Sequence, residues 1–345
     1  MLALKLFGAN DIRLVETEIP EINDDEILLK TKAAAICGTD IRMWQNGYKG
    51  VDEDHPLTLG HEFAGTIFKV GKNVAFFKEG MRISVQPNIG CGQCDRCVSG
   101  NSHLCDSYRA FGINMDGAFA EYVRIPADAI SRGNIALLPD NVSEAEAAVI
   151  EPMSCAYNGF SKCFVKPGEY DLVVGAGPIG ICHARLLHMA GASVLMNDLS
   201  PARLDVCKKM MPYIEIYHGN DLASFVKKWT NGRGLDIAIT ACPSPEMQAA
   251  MLPLMNYGGR INFFGGIPAH KEPVPIDTNL VHYKELYLTG STRSSISQYR
   301  KVLELVSAGL LQVNDIITGR YNISEALDAF NNAKQALGLK HAIIF

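Results

Sequence analysis

Four of the ten cysteines lie close together in the sequence, with the spacing of metal ligands. They are Cys91, Cys94, Cys97 and Cys105. Four thiolates in the pattern C-x2-C-x2-C-x7-C can surround one zinc ion in a tetrahedron, which leaves no open position for a substrate. The spacing therefore predicts a structural zinc site, with an iron–sulfur cluster and unmetallated cysteines as the alternatives.

A second set of candidate ligands is spread over the first half of the chain. Cys37 lies in AICGTD, His61 and Glu62 lie in LGHEFAG, and Glu151 lies in VIEPMSCA. One thiolate, one imidazole and one carboxylate suit zinc with a position left for water or substrate. Such a site is neutral overall, and a second carboxylate would make it anionic unless the two exchange on the metal. We therefore predict a catalytic zinc.

The segment YDLVVGAGPIG has the G-x-G-x-x-G spacing of a dinucleotide-binding turn. The residues expected to bind the cofactor there are Gly175, Gly177, Pro178, Ile179 and Gly180. The glycines follow a predicted strand and open a predicted helix, which is the context that this motif requires. The free N–H groups and the dipole of the helix N-terminus would hold a pyrophosphate.

An acidic residue ends the strand that follows this helix. Asp198 can accept hydrogen bonds from both ribose hydroxyls of a dinucleotide, and its charge repels a 2′-phosphate. This favours NAD over NADP as the cofactor. Arg203 lies one helical turn later and is counted with the nucleotide site, although we expect its charge to be solvated.

The elements that must position these residues differ between two parts of the chain. Up to about residue 150, frequent Gly and Pro and weak helical periodicity indicate an all-β, partly open barrel. Predicted strands there are 2–7, 12–18, 26–35 and 62–70. Beyond it, apolar strands alternate with helices, which indicates a parallel, doubly wound α/β sheet. The predicted strands are 170–174, 193–197, 213–217, 235–240 and 260–264, and the helices are 179–190, 201–211, 221–230 and 245–255.

After residue 290 the pattern predicts helices over 297–308 and 324–337 and a strand over 341–345, where we expect the chain to return to the first domain. The net charge of −5 is spread along the chain without a basic stripe, which argues against a nucleic-acid partner. No uncharged apolar run reaches the length of about 18 residues that a membrane helix needs, and the N-terminus lacks signal-peptide features. We therefore expect a cytoplasmic protein with no membrane partner.

These motifs together resemble the zinc-containing medium-chain dehydrogenase/reductase family, which includes alcohol, sorbitol and threonine dehydrogenases. Besides the cysteine lobe and GAGPIG, they are CGTD at 37–40, GHEFAG at 60–65, DGAFAEY at 116–122 and EP at 151–152. The resemblance implies a GroES-like catalytic domain formed by 1–150 and 291–345, with its zinc lobe at about 88–108. It also implies a Rossmann domain at 151–290, an active site in the cleft between the domains, and a homodimer or homotetramer.

The resemblance also implies roles for single residues. Cys37, His61 and either Glu62 or Glu151 would bind the catalytic zinc, so that both carboxylates are candidate catalytic residues. Thr39 matches the hydroxyl residue that relays the proton of the substrate. Zinc would polarise the substrate oxygen, and a hydride would pass from the substrate to the nicotinamide of NAD.

Details of the motifs bear on the substrate. Glu151 followed by proline resembles the sorbitol and threonine dehydrogenase branches, whereas Asn88 stands where the threonine branch has a histidine. Arg42 replaces a histidine that is usual in the proton relay. Arg293, in GSTRSS, resembles an arginine with which sorbitol dehydrogenases bind polyol hydroxyls. The alternative interpretation of Arg293 is an exposed surface charge with no ligand. The leading hypothesis is an NAD-dependent polyol or polyol-phosphate dehydrogenase; a threonine-type or secondary-alcohol dehydrogenase and a non-catalytic relative are the alternatives.

Overall fold

The computed structural model describes residues 1–345, apart from the side chain of Ala269. The strands are β1 (Leu2–Gly8), β2 (Asp11–Glu16), β3 (Ile27–Ala35), β4 (Leu57–Thr58), β5 (Glu62–Val70), β6 (Arg82–Val85), β7 (Asn88–Ile89), β8 (Arg109–Ala110), β9 (Tyr122–Ile125), β10 (Ile135–Leu137), β11 (Tyr170–Val174), β12 (Ser193–Asn197), β13 (Glu215–Tyr217), β14 (Leu235–Thr240), β15 (Met255–Phe263), β16 (Tyr287–Gly290), β17 (Ile317–Asn322) and β18 (Lys340–Ile344). The helices are α1 (Gly38–Asn46), α2 (Asp95–Val98), α3 (Ala127–Ser131), α4 (Glu144–Ala148), α5 (Ile150–Ser161), α6 (Pro178–Met189), α7 (Pro201–Met210), α8 (Leu222–Trp229), α9 (Pro245–Leu254), α10 (Thr278–Lys284), α11 (Ile296–Ser307) and α12 (Ala326–Lys334).

Two compact units make up the chain, and each has its own core. The first unit comprises Met1–Glu151 and Ser295–Phe345, and the second comprises Pro152–Ser294. None of the helices in the described residues is long and apolar enough to cross a membrane.

The first unit is built on a seven-stranded sheet with the order β10-β6-β5-β3-β18-β17, in which β9 also pairs with β3. A smaller sheet has the order β2-β1-β4, in which β1 and β2, over the predicted strands 2–7 and 12–18, form an antiparallel hairpin. The C-terminal strand β18 lies antiparallel to β3, with Ile343 opposite Ala34. Phe330 of α12 packs edge-on against Phe119, so the end of the chain completes the core of this unit.

The prediction that residues before about 150 are all-β was wrong in detail, because the helices α1, α2, α3 and α4 lie there. Helix α1 starts directly after β3, and its side chains Asp40 and Met43 are the buried ones. A helix that buries so little apolar surface has little hydrophobic periodicity to recognise. Instead, Asp40 stabilises its first turn by accepting a hydrogen bond from the backbone N of Cys37 at 2.8 Å.

The second unit is a six-stranded parallel sheet with the order β13-β12-β11-β14-β15-β16. Every residue of the central strand β14 is buried, as expected for a strand with helices on both faces. Strand β15 begins at Met255, well before the predicted residue 260, and its pairing with β14 is irregular between Leu235 and Ile237. Gly258 lies within this stretch and has a φ of +67°. A glycine in this conformation interrupts the regular strand pattern, so the sequence does not indicate that the strand begins at Met255.

Candidate active site

The four cysteines of the lobe lie together in the structure. Their Sγ atoms are all within 4.8 Å of one another. Cys91 and Cys97 have their sulfurs 4.0 Å apart, and those of Cys94 and Cys105 are 3.8 Å apart. A tetrahedron with Zn–S bonds of about 2.3 Å has sulfurs about 3.8 Å apart. The four residues therefore fit one zinc ion and offer it no free position.

Backbone N–H groups prepare this lobe for negative charge. The N–H of Cys94 points at the sulfur of Cys91 at 3.4 Å, and the N–H of Cys91 points at that of Cys105 at 3.3 Å. Hydrogen bonds from the backbone of Gln93 and Cys94 lower the pKa of the Cys91 thiol to about 6, whereas burial raises the pKa of Cys97 to about 12. Cys91 is therefore more readily ionised than Cys97, and the thiolate is the form that binds a metal ion.

The candidate catalytic ligands meet where β3 ends and β5 begins. Glu62, the first residue of β5, lies opposite Ala35 at the end of β3, and Cys37 follows as the N-cap of α1. One ligand atom from each of Cys37, His61 and Glu62 lies within 4.8 Å of the others. Thiolate, imidazole and carboxylate are all ligands of zinc, so these three residues could hold it.

Asp40 supports two of these ligands at once, a role that the sequence did not suggest. Its side chain is fully buried. Oδ2 accepts from the backbone N of Cys37, and Oδ1 lies 3.5 Å from Nδ1 of His61. A carboxylate beside one ring nitrogen orients the imidazole and leaves Nε2 for a metal ion. The available signal was an acidic residue three positions after Cys37, the pattern of a helix cap.

Lys340 is a second residue that the sequence analysis missed. Its Nζ lies 2.6 Å from Oε1 of Glu62 and 2.5 Å from Oε2, and donates to the carbonyl O of Ile36 at 2.9 Å. Both side chains of the pair are buried. Burial raises the pKa of Glu62, and the ammonium of Lys340 opposes that rise. The carboxylate of Glu62 in turn holds the pKa of Lys340 above its usual value, although burial by itself would lower it. Lys340 would therefore compete with a metal ion for Glu62.

We expect Lys340→Met to lower the free energy of unfolding of the metal-free protein by about 3 to 5 kcal/mol, because it leaves a buried carboxylate without its counter-ion. Urea unfolding in a chelator measures this change. The double variant Glu62→Gln/Lys340→Met removes both charges and should recover a large part of the loss. Equal stability of Lys340→Met and the wild type would contradict the assigned pairing.

The structure places the remaining candidates of this centre around the three ligands. Glu151, near the start of α5, is buried and lies outside the group of three, but its charge acts on Glu62 and Lys340. Thr39 lies in the first turn of α1, where its Oγ1 accepts a hydrogen bond from Nη2 of Arg42 at 2.8 Å. Glu62 is thus the carboxylate that the fold brings to the other ligands, and Glu151 stays a prediction.

The glycine-rich turn lies at the centre of the sheet in the second unit. It follows β11, whose neighbours are β12 and β14, so it lies where the order of the strands reverses. Gly180 permits a close approach, because a Cβ there would lie 1.8 Å from the carbonyl O of Gly175. A Cβ on Gly177, the N-cap of α6, would meet no atom within 4 Å. Open space in front of a helix N-terminus fits the pyrophosphate of a dinucleotide.

Asp198 is held by the same turn. Its Oδ2 accepts from the backbone N of Ala176 at 2.7 Å, and its Oδ1 accepts from that of Ser200 at 2.8 Å. Each oxygen keeps a lone pair for a ribose hydroxyl. A cavity of about 340 Å³ beside it is lined by Leu199, His218 and Met247, among others. This space fits the adenosine part of a dinucleotide.

The two predicted arginines of the second unit have hydrogen bonds through their backbones. The backbone N of Arg203 donates to Oγ of Ser200 at 3.4 Å, in the first turn of α7, and its side chain is half-buried. Arg293 follows β16 and has a φ of +54°, and its carbonyl O accepts from Nδ2 of Asn158 at 3.0 Å. Both stay predictions as ligand-binding residues.

Comparison with known proteins shows the family of the chain. Residues 23–136 match the family described as Alcohol dehydrogenase GroES-like domain, and residues 178–308 match Zinc-binding dehydrogenase. The chain is 31% identical to sorbitol dehydrogenase of Bacillus subtilis over 97% of its own length and 94% of that protein. It is 34% identical to L-threonine 3-dehydrogenase of Pectobacterium carotovorum, over 95% and 94% respectively.

Solved structures show the same fold. One is a protein from Sinorhizobium meliloti bound to NADP, with a TM-score of 0.88, 28% identity and coverage of 100% of this chain and 99% of that one. Another is an alcohol dehydrogenase from Escherichia coli CFT073 complexed with NADH, with a TM-score of 0.89, 26% identity and the same coverage. Proteins of this fold therefore take either dinucleotide.

Proposed function

The chain belongs to the zinc-containing medium-chain dehydrogenase/reductase family, and we propose that it oxidises a polyol or a polyol phosphate to the corresponding ketose with NAD. The observation that carries the proposal is the meeting of Cys37, His61 and Glu62 in a chain that also has a dinucleotide-binding turn. The likeness to sorbitol dehydrogenase supports a polyol substrate, as does proline after Glu151. Arg293 is the proposed contact to the substrate hydroxyls.

We assign the chemistry as follows. Zinc at Cys37, His61 and a carboxylate would lower the pKa of the substrate hydroxyl, and NAD would accept the hydride. Thr39 takes the hydroxyl proton at Oγ1. Asp40 orients His61, and Lys340 keeps Glu62 from binding a metal ion too tightly. Four further thiols in the lobe would hold the structural zinc.

The proposed preference for NAD rests on Asp198. Its carboxylate is fixed by two backbone N–H groups, so it cannot easily turn away from a 2′-phosphate. A dianionic phosphate beside a fixed carboxylate is repelled. All ten cysteines are free, which supports a reducing compartment such as the cytoplasm. We also propose a homo-oligomer.

A substrate panel tests the proposal. We expect the purified protein to reduce NAD faster than NADP with a hexitol, a pentitol or one of their phosphates. Dialysis against a chelator should abolish this activity, and zinc should restore it. A chain that oxidises L-threonine or 2,3-butanediol, and no polyol or polyol phosphate, would overturn the substrate assignment.

The similarity to L-threonine 3-dehydrogenase favours a second candidate, a threonine-type dehydrogenase. Asn88, where that branch has a histidine, argues against it. A non-catalytic relative is the candidate of another class, and zinc analysis separates it from the enzymes. An enzyme should hold about two zinc ions per chain, and a non-catalytic relative about one or none.

A further inference from the structure

The residues that follow β16 form a loop with one strained position. Strand β16 ends at Gly290, and Arg293 in the loop has a φ of +54°. A residue that carries a Cβ rarely adopts this left-handed conformation, which persists only where the surroundings fix it. The segment 290–294, which we call the arginine loop, must therefore be held by its neighbours.

Helix α5 fixes the backbone on both sides of Arg293. Nδ2 of Asn158, a buried residue, donates to the carbonyl O of Thr292 at 3.2 Å and to that of Arg293 at 3.0 Å. These two carbonyls belong to the planar peptide groups that flank the Cα of Arg293, so their relative orientation is set by its φ and ψ. One amide therefore specifies the backbone conformation at Arg293, and with it the direction in which the side chain leaves the backbone.

Two more side chains of α5 hold the ends of the arginine loop. Oγ of Ser154 lies 2.6 Å from Oγ of Ser294, and both residues are fully buried. Nζ of Lys162 donates to the carbonyl O of Gly290 at 2.7 Å. Ser154, Asn158 and Lys162 are four residues apart, so they lie on one face of the helix. This face contacts the loop at its start, its middle and its end.

Gly159 lets the arginine loop lie close to α5. A Cβ on Gly159 would lie 3.0 Å from Oγ of Ser291, which is tighter than an ordinary side-chain contact. Ser291 in turn donates to Oδ1 of Asn262 at 3.0 Å, and Asn262 is a fully buried residue of β15. The arginine loop is therefore bound to both the helix and the sheet.

We propose that Asn158 is a positioning residue, which fixes Arg293 in the conformation that binds the substrate. The inference rests on the proposed function, in which Arg293 contacts the substrate hydroxyls. A binding group is effective only when the residues that support it hold it close to the productive geometry. Because Asn158 bonds to the backbone of Arg293, its effect on the substrate passes through that residue.

Steady-state kinetics with the best substrate of the panel test this role. We expect Asn158→Ala to raise the KM for the substrate about tenfold and to leave kcat within about threefold, because the lost bonds orient a binding group and not a reacting one. Asn141→Ala is the matched control. Nδ2 of Asn141 donates to a carbonyl of another segment, that of Ser307 at 2.7 Å, and its loss should change neither constant.

A double variant separates positioning from a general effect on the protein. Arg293→Gln should raise the same KM, and adding Asn158→Ala should raise it no further, because Asn158 acts through the side chain that is already lost. Additive effects would overturn the inference, since Asn158 would then act on another part of the protein. An increase in the KM for NAD as large as that for the substrate would also overturn it.

Trypsin probes the arginine loop without any turnover, because this protease cleaves after arginine. We expect the bond after Arg293 to be cleaved at least about tenfold faster in Asn158→Ala than in the wild type, since local release of a segment exposes it to a protease. Lys162→Met removes the bond to Gly290 but keeps the apolar stem of the side chain, and should raise this cleavage by less. General cleavage of Asn158→Ala at other sites would assign Asn158 to the stability of the whole unit and overturn the inference.

The two measurements distinguish this inference from the proposed function. Unchanged cleavage after Arg293 in Asn158→Ala overturns the inference, whatever the substrate is. Faster cleavage at this bond, together with an unchanged KM in Arg293→Gln, supports the positioning of Arg293 by Asn158 and contradicts only the proposed contact between Arg293 and the substrate.

Discussion

Replacing Cys37 with serine is expected to remove about one of two zinc ions per chain and to lower kcat at least about 1,000-fold. A serine hydroxyl does not supply the thiolate that zinc prefers. Loss of a metal that polarises the substrate oxygen removes several kcal/mol of transition-state stabilisation, and each 1.36 kcal/mol corresponds to a factor of ten. Elemental analysis of the purified variant and its kcat with the best substrate of the panel measure the two effects.

Cys97→Ser is the matched control, because it also removes one thiolate from a candidate zinc site. We expect it to lose the lobe zinc and to become sensitive to proteolysis between Cys91 and Cys105, since a structural zinc supplies folding energy to its own loop. Zinc at Cys37 should stay bound. Each of the two variants should keep the zinc ion at the site that it does not change. If Cys37→Ser and Cys97→Ser then lose activity to the same degree, the assignment of one catalytic and one structural zinc is wrong.

Asp171→Asn is expected to stabilise the protein, and by more at pH 8 than at pH 5. Asp171 is fully buried in β11, and neither carboxylate oxygen has a hydrogen-bond partner of ordinary length among the described residues. Burial raises its pKa to about 8, and the neighbouring charge of Glu169 adds to the rise. Arg260 opposes it, but that guanidinium is engaged with Glu169 at 2.7 Å.

The direction follows from proton binding. An unfolded aspartate has a pKa near about 3.9, so between about pH 4 and pH 8 the unfolded chain has released a proton that the folded chain retains. Each pH unit in this window therefore costs the wild type up to about 1.4 kcal/mol of stability, and the neutral amide avoids this cost. Urea unfolding of both proteins at pH 5, 6, 7 and 8 gives the difference.

Asp236→Asn provides the contrast within the same sheet. Its carboxylate accepts hydrogen bonds from the backbone N of Tyr170 at 3.0 Å and from Nδ2 of Asn256 at 3.1 Å. An amide cannot replace both bonds, so this variant should lose stability rather than gain it. A pH-independent difference between Asp171→Asn and the wild type would show that Asp171 is ionised in the folded protein.

Much of the candidate site could be predicted because its signals are local. The lobe cysteines lie within one short loop, so their spacing alone restricts them to a common ion. The glycine-rich turn joins one strand to one helix, and its role depends on backbone geometry that glycine makes possible. In both cases the chemistry and the fold that supports it are encoded by neighbouring residues. The alternation of apolar strands with helices likewise identified the parallel sheet.

Other features depend on contacts between distant parts of the chain. Lys340 reaches Glu62 only because β18 lies next to β3, and the pattern of the last strand contains no sign of that partner. In the sequence, Asp171 is one polar residue at the start of an apolar strand, and its burial without a hydrogen-bond partner of ordinary length depends on what packs around it. Helix α1 is stabilised by a cap rather than by a buried apolar face.

By itself, then, the sequence determined the family, the two kinds of domain and the residue types available for zinc and a dinucleotide. The tertiary structure places one ligand atom from each of Cys37, His61 and Glu62 within 4.8 Å of the others, with Glu62 opposite Ala35 in the register of β3 with β5. It also decided the charges around that site, because β18 brings the ammonium of Lys340 to the carboxylate of Glu62. Motifs specify ligands through local spacing, whereas the electrostatic environment of those ligands arises from strands and helices that only folding brings together.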